Sequence, residues 1–248
     1  MATILRIRFS KAGRVRFVSH RDVARLFERA LRKLQLPVAY TEGFSPRPKL
    51  SFGLALTVAY ESEAEYLDVE LYKPVDLEAL PAALTDALPE GVTVQAVIGL
   101  QRGTPSLQQA IVCCDWSLEV IGATVTDISL AIADIMDSSE LPLERVRKKK
   151  VTVADVRPAI LELEVAGPTS DGVEIRAQLA TEAVSLRPAE LVGVVRSALN
   201  RRAEPLEEYD LVEGRVRRVR QWMIVDRARC EPVSPPGSLT RHDMRRAS

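Results

Sequence analysis

Two histidines and three cysteines in 248 residues leave little raw material for a metal centre or a catalytic triad. His20 and His242 stand far apart, so neither a His-based zinc site nor a Ser-His-Asp arrangement is supplied by the sequence. Cys113, Cys114 and Cys230 show no C-x-x-C spacing, and an odd count closes no even disulfide framework. The adjacent pair would face opposite sides of a strand, so buried thiols are expected. No G-x-x-x-x-G-K-[ST], G-x-G-x-x-G or H-E-x-x-H motif occurs, which removes the usual support for phosphate-loop, dinucleotide and zincin chemistry. No apolar run approaches the roughly 20 residues that span a bilayer, and the N-terminus lacks a signal-peptide apolar stretch. A cytoplasmic protein with no membrane association is expected, with no catalytic residue, metal ligand or cofactor to nominate.

Charge is abundant and segregated. The whole chain has 34 basic and 34 acidic residues. The first fifty residues nevertheless carry twelve Lys or Arg against three Asp or Glu, a formal +9. Residues 51–100 reverse this, with nine acids against Lys73 alone, giving −8. Such polarity reads as a field that steers an anionic partner, or as two faces of one domain that neutralise each other.

Along the chain, apolar Ile4, Leu5 and Ile7 alternate with Arg6 and Arg8, and Val15, Phe17 and Val18 continue the habit past a turn at Ala12-Gly13. A basic-faced strand or hairpin is predicted. Ser19 with Asp22 three residues on has the spacing of a capping box, which starts a helix over 20–34. Val23, Phe27, Ala30, Leu31 and Leu34 make its apolar side. Arg21, Arg25, Arg29 and Arg32 recur on the other, with Glu28 the lone acid among them; a solvated face is the bland alternative. Val38–Tyr40 begins a further strand. In Gly43-Phe44-Ser45-Pro46-Arg47-Pro48-Lys49 two prolines impose an extended backbone, so Arg47 and Lys49 should project from a stiff loop, with Phe44 either exposed beside them or plugging the core. Preorganised basic and aromatic groups suit single-stranded nucleic acid. Strands are expected over 50–60 and 65–72, joined by an acidic turn at 61–65. A carboxylate pair near Glu61–Asp68 could do acid–base work if buried together, although a solvated acidic edge is the simpler reading. A helix over 76–88 and a strand over 92–100 complete β-α-β-β-α-β.

The stretch 101–109 reads as a linker. After it, a strand at 111–121, a helix at 127–136, an extended basic segment at 143–153, strands at 159–165 and 173–179, a helix at 188–200 and a strand within 216–225 repeat the order. The expected fold is therefore α+β, two tandem ferredoxin-like units with antiparallel sheets, at 1–100 and 110–231, followed by a disordered tail at 232–248. The run Arg145 to Lys150 is the second basic feature; on an exposed strand it tracks phosphates, or it blunts an edge against aggregation.

Several segments together resemble a family. These are Arg6–Gly13 (RIRFSKAG), Arg16–Arg32 (RFVSHRDVARLFERALR), Gly43–Gly53 (GFSPRPKLSFG), Ser62–Leu71 (SEAEYLDVEL) and Val153–Pro158 (VADVRP). In that order they resemble the bacterial radical-SAM-linked protein family, a domain of unknown function encoded beside or fused to a radical SAM protein with a B12-binding-like domain, often near an RNase E/G-type ribonuclease. The family often has Leu where this chain has Arg21, and Asn where it has Ser45. The resemblance implies RNA modification or processing. With no cysteine triad for an iron–sulfur cluster, any radical chemistry falls to the partner.

The expectation is an RNA-binding accessory protein working with a radical SAM enzyme, with no DNA contact. Its nucleic-acid-binding residues would be Arg14, Arg16, His20, Arg21, Arg25, Arg29, Phe44, Ser45, Arg47, Lys49, Arg147, Lys148, Lys149 and Lys150. A protein-docking module for that partner, without direct RNA contact, is one alternative. A stand-alone enzyme acting through His20, Asp22 or the acids near Glu65 is another.

Overall fold

The computed structural model describes residues 3–100, 103–147, 150–182, 184–202, 208–225 and 227–233. It is α+β, with a mostly antiparallel sheet and few helices. The strands are β1 (Thr3–Lys11), β2 (Leu50–Phe52), β3 (Glu61–Leu71), β4 (Val92–Leu100), β5 (Ile111–Ile121), β6 (Pro142–Arg147), β7 (Lys150–Asp155), β8 (Ile160–Pro168), β9 (Val173–Ala180), β10 (Val212–Val225) and β11 (Ala228–Cys230). The helices are α1 (His20–Lys33), α2 (Leu80–Ala87), α3 (Leu107–Ala110), α4 (Val125–Asp137) and α5 (Pro188–Arg202). The chain divides into two compact units, one of residues 1–111 with 221–248, the other of 112–220.

In the first unit β1 lies between β4 and β3, antiparallel to both, and β2 pairs with β3 at Leu67–Val69. The period-2 pattern of β1 sends Leu5, Ile7 and Phe9 to a core shared with Val23, Phe27, Ala30 and Leu31 of α1 and with Leu80 and Leu84 of α2. Phe9 and Phe27 meet with ring centroids 4.6 Å apart. The 3.6-period stripe of α1 is the one the sequence predicts, and the Ser19 hydroxyl accepts the Asp22 N–H as its cap. Arg6 and Arg8 face the other side of the sheet, and that side is covered.

Arg6 is 1 % exposed and forms a fork on Asp68, with Nε–Oδ1 and Nη2–Oδ2 both 2.8 Å. The carbonyls of Pro105 and Pro232 lie at 3.4 and 3.5 Å from the same guanidinium. Arg8 pairs with Glu231 at 2.7 Å. Lys11 is buried and donates to the carbonyls of Arg16 and Val18. The predicted basic face of β1 is thus internal, because an acidic β3 stands in register with it, Arg6 opposite Asp68. The predicted acidic turn at 61–65 is likewise the start of β3, where Glu61 and Glu65 are buried. Lys11 is near Glu65, and Arg16 reaches Glu61 at 3.4 Å. Much of the +9 and −8 therefore neutralises itself within the unit.

The second unit has sheet neighbours β10–β5–β9–β8, with α4 and α5 packed together and α4 against β8. The extended basic segment is a separate two-stranded ribbon, β6 paired with β7. Its base is fixed by the VADVRP segment. The Asp155 carboxylate accepts from the N–H groups of Leu141 and Arg157, and the Arg157 guanidinium donates to the carbonyls of Met136, Ser138 and Ile160, among them carbonyls at the end of α4. Cys113 and Cys114 are buried thiols on β5, and Cys230 is half-buried. Leu107 in α3 is fully buried, so this part of the stretch read as a linker is packed. Residues 234–248 of the expected tail lie outside the described residues.

Candidate nucleic-acid interface

With the charges of β1 engaged inside, α1 and the loop that follows it hold the main group of exposed cations among the described residues of the first unit. Arg21, Arg25 and Arg29 are exposed on α1, and among the described residues only Arg25 of the three has an ion pair, with Asp22 one turn back at 2.9 Å. The Asp22 carboxyl is held below its ordinary range, first by the Ser19 hydroxyl and then by Arg25 and Arg21. His20 opens the helix, exposed, with its ring edge-on to Phe52 at 5.0 Å. Arg14 is exposed in the tight turn Gly13–Phe17; Arg16 there is half-buried and lies 4.8 Å from the ring of Phe17, itself 58 % exposed.

The loop is built as a stem with a tip. Tyr40 and Pro48 form a β-bridge, Ala39 accepts the Lys49 N–H at 2.8 Å, and the stem adds to β3 through the Ala39 N–H on Glu70. Inside it Thr41 donates its N–H to the Arg47 carbonyl at 2.9 Å and accepts the Arg47 N–H on its hydroxyl at 3.0 Å. Gly43 sits at φ +120°, where an L side chain would be strained, and this carries the chain over the tip. Phe44 follows with its side chain fully exposed, at 110 % of the reference area. It is no core plug. Ser45 and Arg47 are exposed beside it, and the Arg47 guanidinium meets no partner among the described residues. Lys49 is less available, since Glu70 holds it at 3.1 Å.

Between the C-terminal half of α1 and this stem lies a shallow groove lined by Glu28, Arg32, Gln35 and Tyr40 over Leu31, Leu36, Val38 and Pro48. The sequence marked Glu28 and Arg32 on the charged side of the helix, Leu31 on its apolar side, Val38–Tyr40 as a strand start and Pro48 as a stiffening residue, but nothing in it placed them around one groove. The groove forms because Gln35 turns the chain back at the end of α1.

The second basic feature belongs to the other unit. Arg147 ends β6 and Lys150, exposed, begins β7, while Lys148 and Lys149 lie outside the described residues. On this ribbon Val146, Val151 and Val153 are exposed, and Arg145 is anchored on Glu190 by Nε–Oε1 and Nη2–Oε2 contacts of 2.9 and 3.0 Å. Among the described residues no three or more His, Cys, Asp or Glu are grouped to hold a metal ion. No described helix is long and apolar enough to cross a membrane.

A family model described as "Uncharacterized protein conserved in bacteria (DUF2344)" matches residues 5–188. No curated protein matches the chain. Among solved structures, an unknown protein from Galdieria sulphuraria is 15 % identical over 86 % of this chain and 99 % of its own, with a TM-score of 0.25 that carries no argument about fold.

Proposed function

The chain belongs to this family of uncharacterized bacterial proteins, and from that premise we propose that it is an RNA-binding accessory protein that presents RNA to a separately encoded radical SAM enzyme. The observation that carries the reading is Phe44. A phenyl ring held fully in water on a hydrogen-bonded, proline-stiffened loop adds nothing to the core, and it stands beside an unengaged Arg47. Stacking a base on such a ring contributes roughly 1–3 kcal/mol, and a preorganised loop loses little entropy on binding. The Arg21, Arg25 and Arg29 face of α1 supplies sequence-independent attraction to phosphates.

The element order β-α-β-β-α-β and the neighbours β4–β1–β3–β2 in the first unit support reading it as ferredoxin-like. Neighbours β10–β5–β9–β8, with the ribbon inserted, support the same reading for the second. In the first unit, however, Arg6, Arg8 and their partners fill the sheet face that such folds can offer to RNA. The helix and loop are therefore the surface proposed for RNA. A bound strand meeting about four cations should show log K falling against log salt with a slope of about −3. Fluorescence anisotropy with a labelled RNA nonamer between low and physiological salt measures it, and F44A/R47A should abolish binding. An RNA that stays unbound at low salt defeats the reading.

Protein docking is a second reading, favoured by Val146, Val151 and Val153, which share one face of the β6–β7 ribbon. Under it the chain binds the radical SAM partner without direct RNA contact, so V146S/V153S would lose the partner while labelled RNA stays unbound by the native chain.

A further inference from the structure

We propose that the groove between α1 and the Tyr40–Pro48 stem is a pocket for one unstacked guanine base of single-stranded RNA. The proposal rests on the RNA-binding reading above and adds a base preference to it.

Three features of the groove are poorly explained by phosphate attraction alone. Glu28 and Arg32 are spaced i, i+4 on α1, which favours their pairing, yet no ion pair forms between them and neither has a partner among the described residues. An acid amid the Arg stripe also weakens general attraction to a polyanion, so its presence there works against indiscriminate binding. Finally, Gln35 holds φ +52° at the position just past the helix end, where glycine is the usual residue. Its backbone is tied by Gln35 N–H to the Arg32 carbonyl and Leu36 N–H to the Leu31 carbonyl, both 3.0 Å. A non-glycine residue kept in that conformation at the lip of a cavity is the pattern of strain retained for function.

The chemistry of the rim selects the ligand. Tyr40, 48 % exposed, offers half a ring for stacking above the apolar floor of Leu31, Leu36 and Val38. The Glu28 carboxylate only accepts hydrogen bonds. Guanine presents two adjacent donors, N1–H and the N2 amine, and matches it. Adenine and cytosine each set an acceptor beside a single amine, and uracil flanks its one N–H with two carbonyls. The Gln35 amide can donate to guanine O6, and Arg32 is placed for the adjoining phosphate. The volume of the groove, about 140 Å³, is well below that of drug-sized sites and suits a single base rather than a larger ligand.

The test uses the full chain and three oligouridine nonamers whose central residue is guanosine, inosine or adenosine, titrated by anisotropy at one salt concentration. The guanosine strand should bind about tenfold tighter than the adenosine strand, with inosine, which lacks the N2 amine, between them. Glu28→Gln should bring the guanosine-to-adenosine ratio to near one while binding of the adenosine strand is kept or improved. Gln35→Gly should raise the thermal midpoint and lower the preference. Equal affinity for all three strands in the native protein overturns the pocket and leaves the RNA reading intact, as does a preference that survives Glu28→Gln. Failure of all three strands to bind overturns the RNA reading and the pocket with it.

Discussion

β1 and α1 are both arginine-rich, and side by side in sequence they look like one basic surface. Their fates are opposite. Arg6 is 1 % exposed and locked on Asp68, whereas the side chain of Arg25 is 52 % exposed and touches only a neighbour on its own helix. Alternate residues of a strand point to one face of the sheet, and where that face is covered, as it is over β1, a charge on it must find a partner in the covering layer. A helix on the surface has one face with no such demand. A count of basic residues therefore overstates the surface charge where the cations lie on a strand whose faces are both covered, as in β1.

The sharpest way to break this contrast is Arg6→Ala. It leaves Asp68 without its fork and should cost about 3–5 kcal/mol in urea unfolding. R6L/D68L should recover most of that loss, whereas Arg29→Ala should change stability by less than about 0.5 kcal/mol. Comparable unfolding midpoints for the Arg6 and Arg29 variants would refute the burial argument. Next in size is Phe44→Ala, expected to weaken RNA binding by roughly 1–3 kcal/mol by anisotropy with no shift in thermal midpoint. A drop in midpoint with unchanged affinity would return Phe44 to a structural role.

Ser19→Ala removes the cap of α1 and should cost about 1 kcal/mol, read by thermal unfolding. The smallest effect is that of Asp22. Its carboxyl sits below its ordinary 3.8, chiefly through the Ser19 hydroxyl, so its contribution is complete above that value and is lost as pH falls through the lower folded value. Asp22→Asn should flatten the acid limb of a stability-against-pH curve below about pH 4, and an unchanged limb would show that the contact is idle.

Local signals were readable where local physics decides. The α1 stripe, its Ser19 cap and the Pro46–Pro48 stiffening follow from residue spacing. The Thr124–Asp127 capping box of α4 lay open to the same reasoning. Long-range placement was not readable in this way. The segment at 143–153 lies in two antiparallel strands, β6 and β7, with no glycine or proline between them in the sequence to announce the pairing, and the strand expected over 50–60 stops at Phe52. The VADVRP segment gave no hint of its work, because two of the three carbonyls that Arg157 collects, those of Met136 and Ser138, belong to a helix end some twenty residues earlier in the chain. The groove escaped notice since its residues are brought together only by the turn at Gln35.

The sequence by itself determined the alternation of β1, the amphipathic helix and the rigid loop, since each depends on side-chain period and backbone restriction within a few residues. Which arginines face water was decided by the tertiary structure. Only the pairing of β1 with β3 sets Arg6 against Asp68, and only the stem on β3 carries Phe44 out into solvent. Burial and charge pairing are properties of neighbours distant in the chain, and no local pattern encodes them.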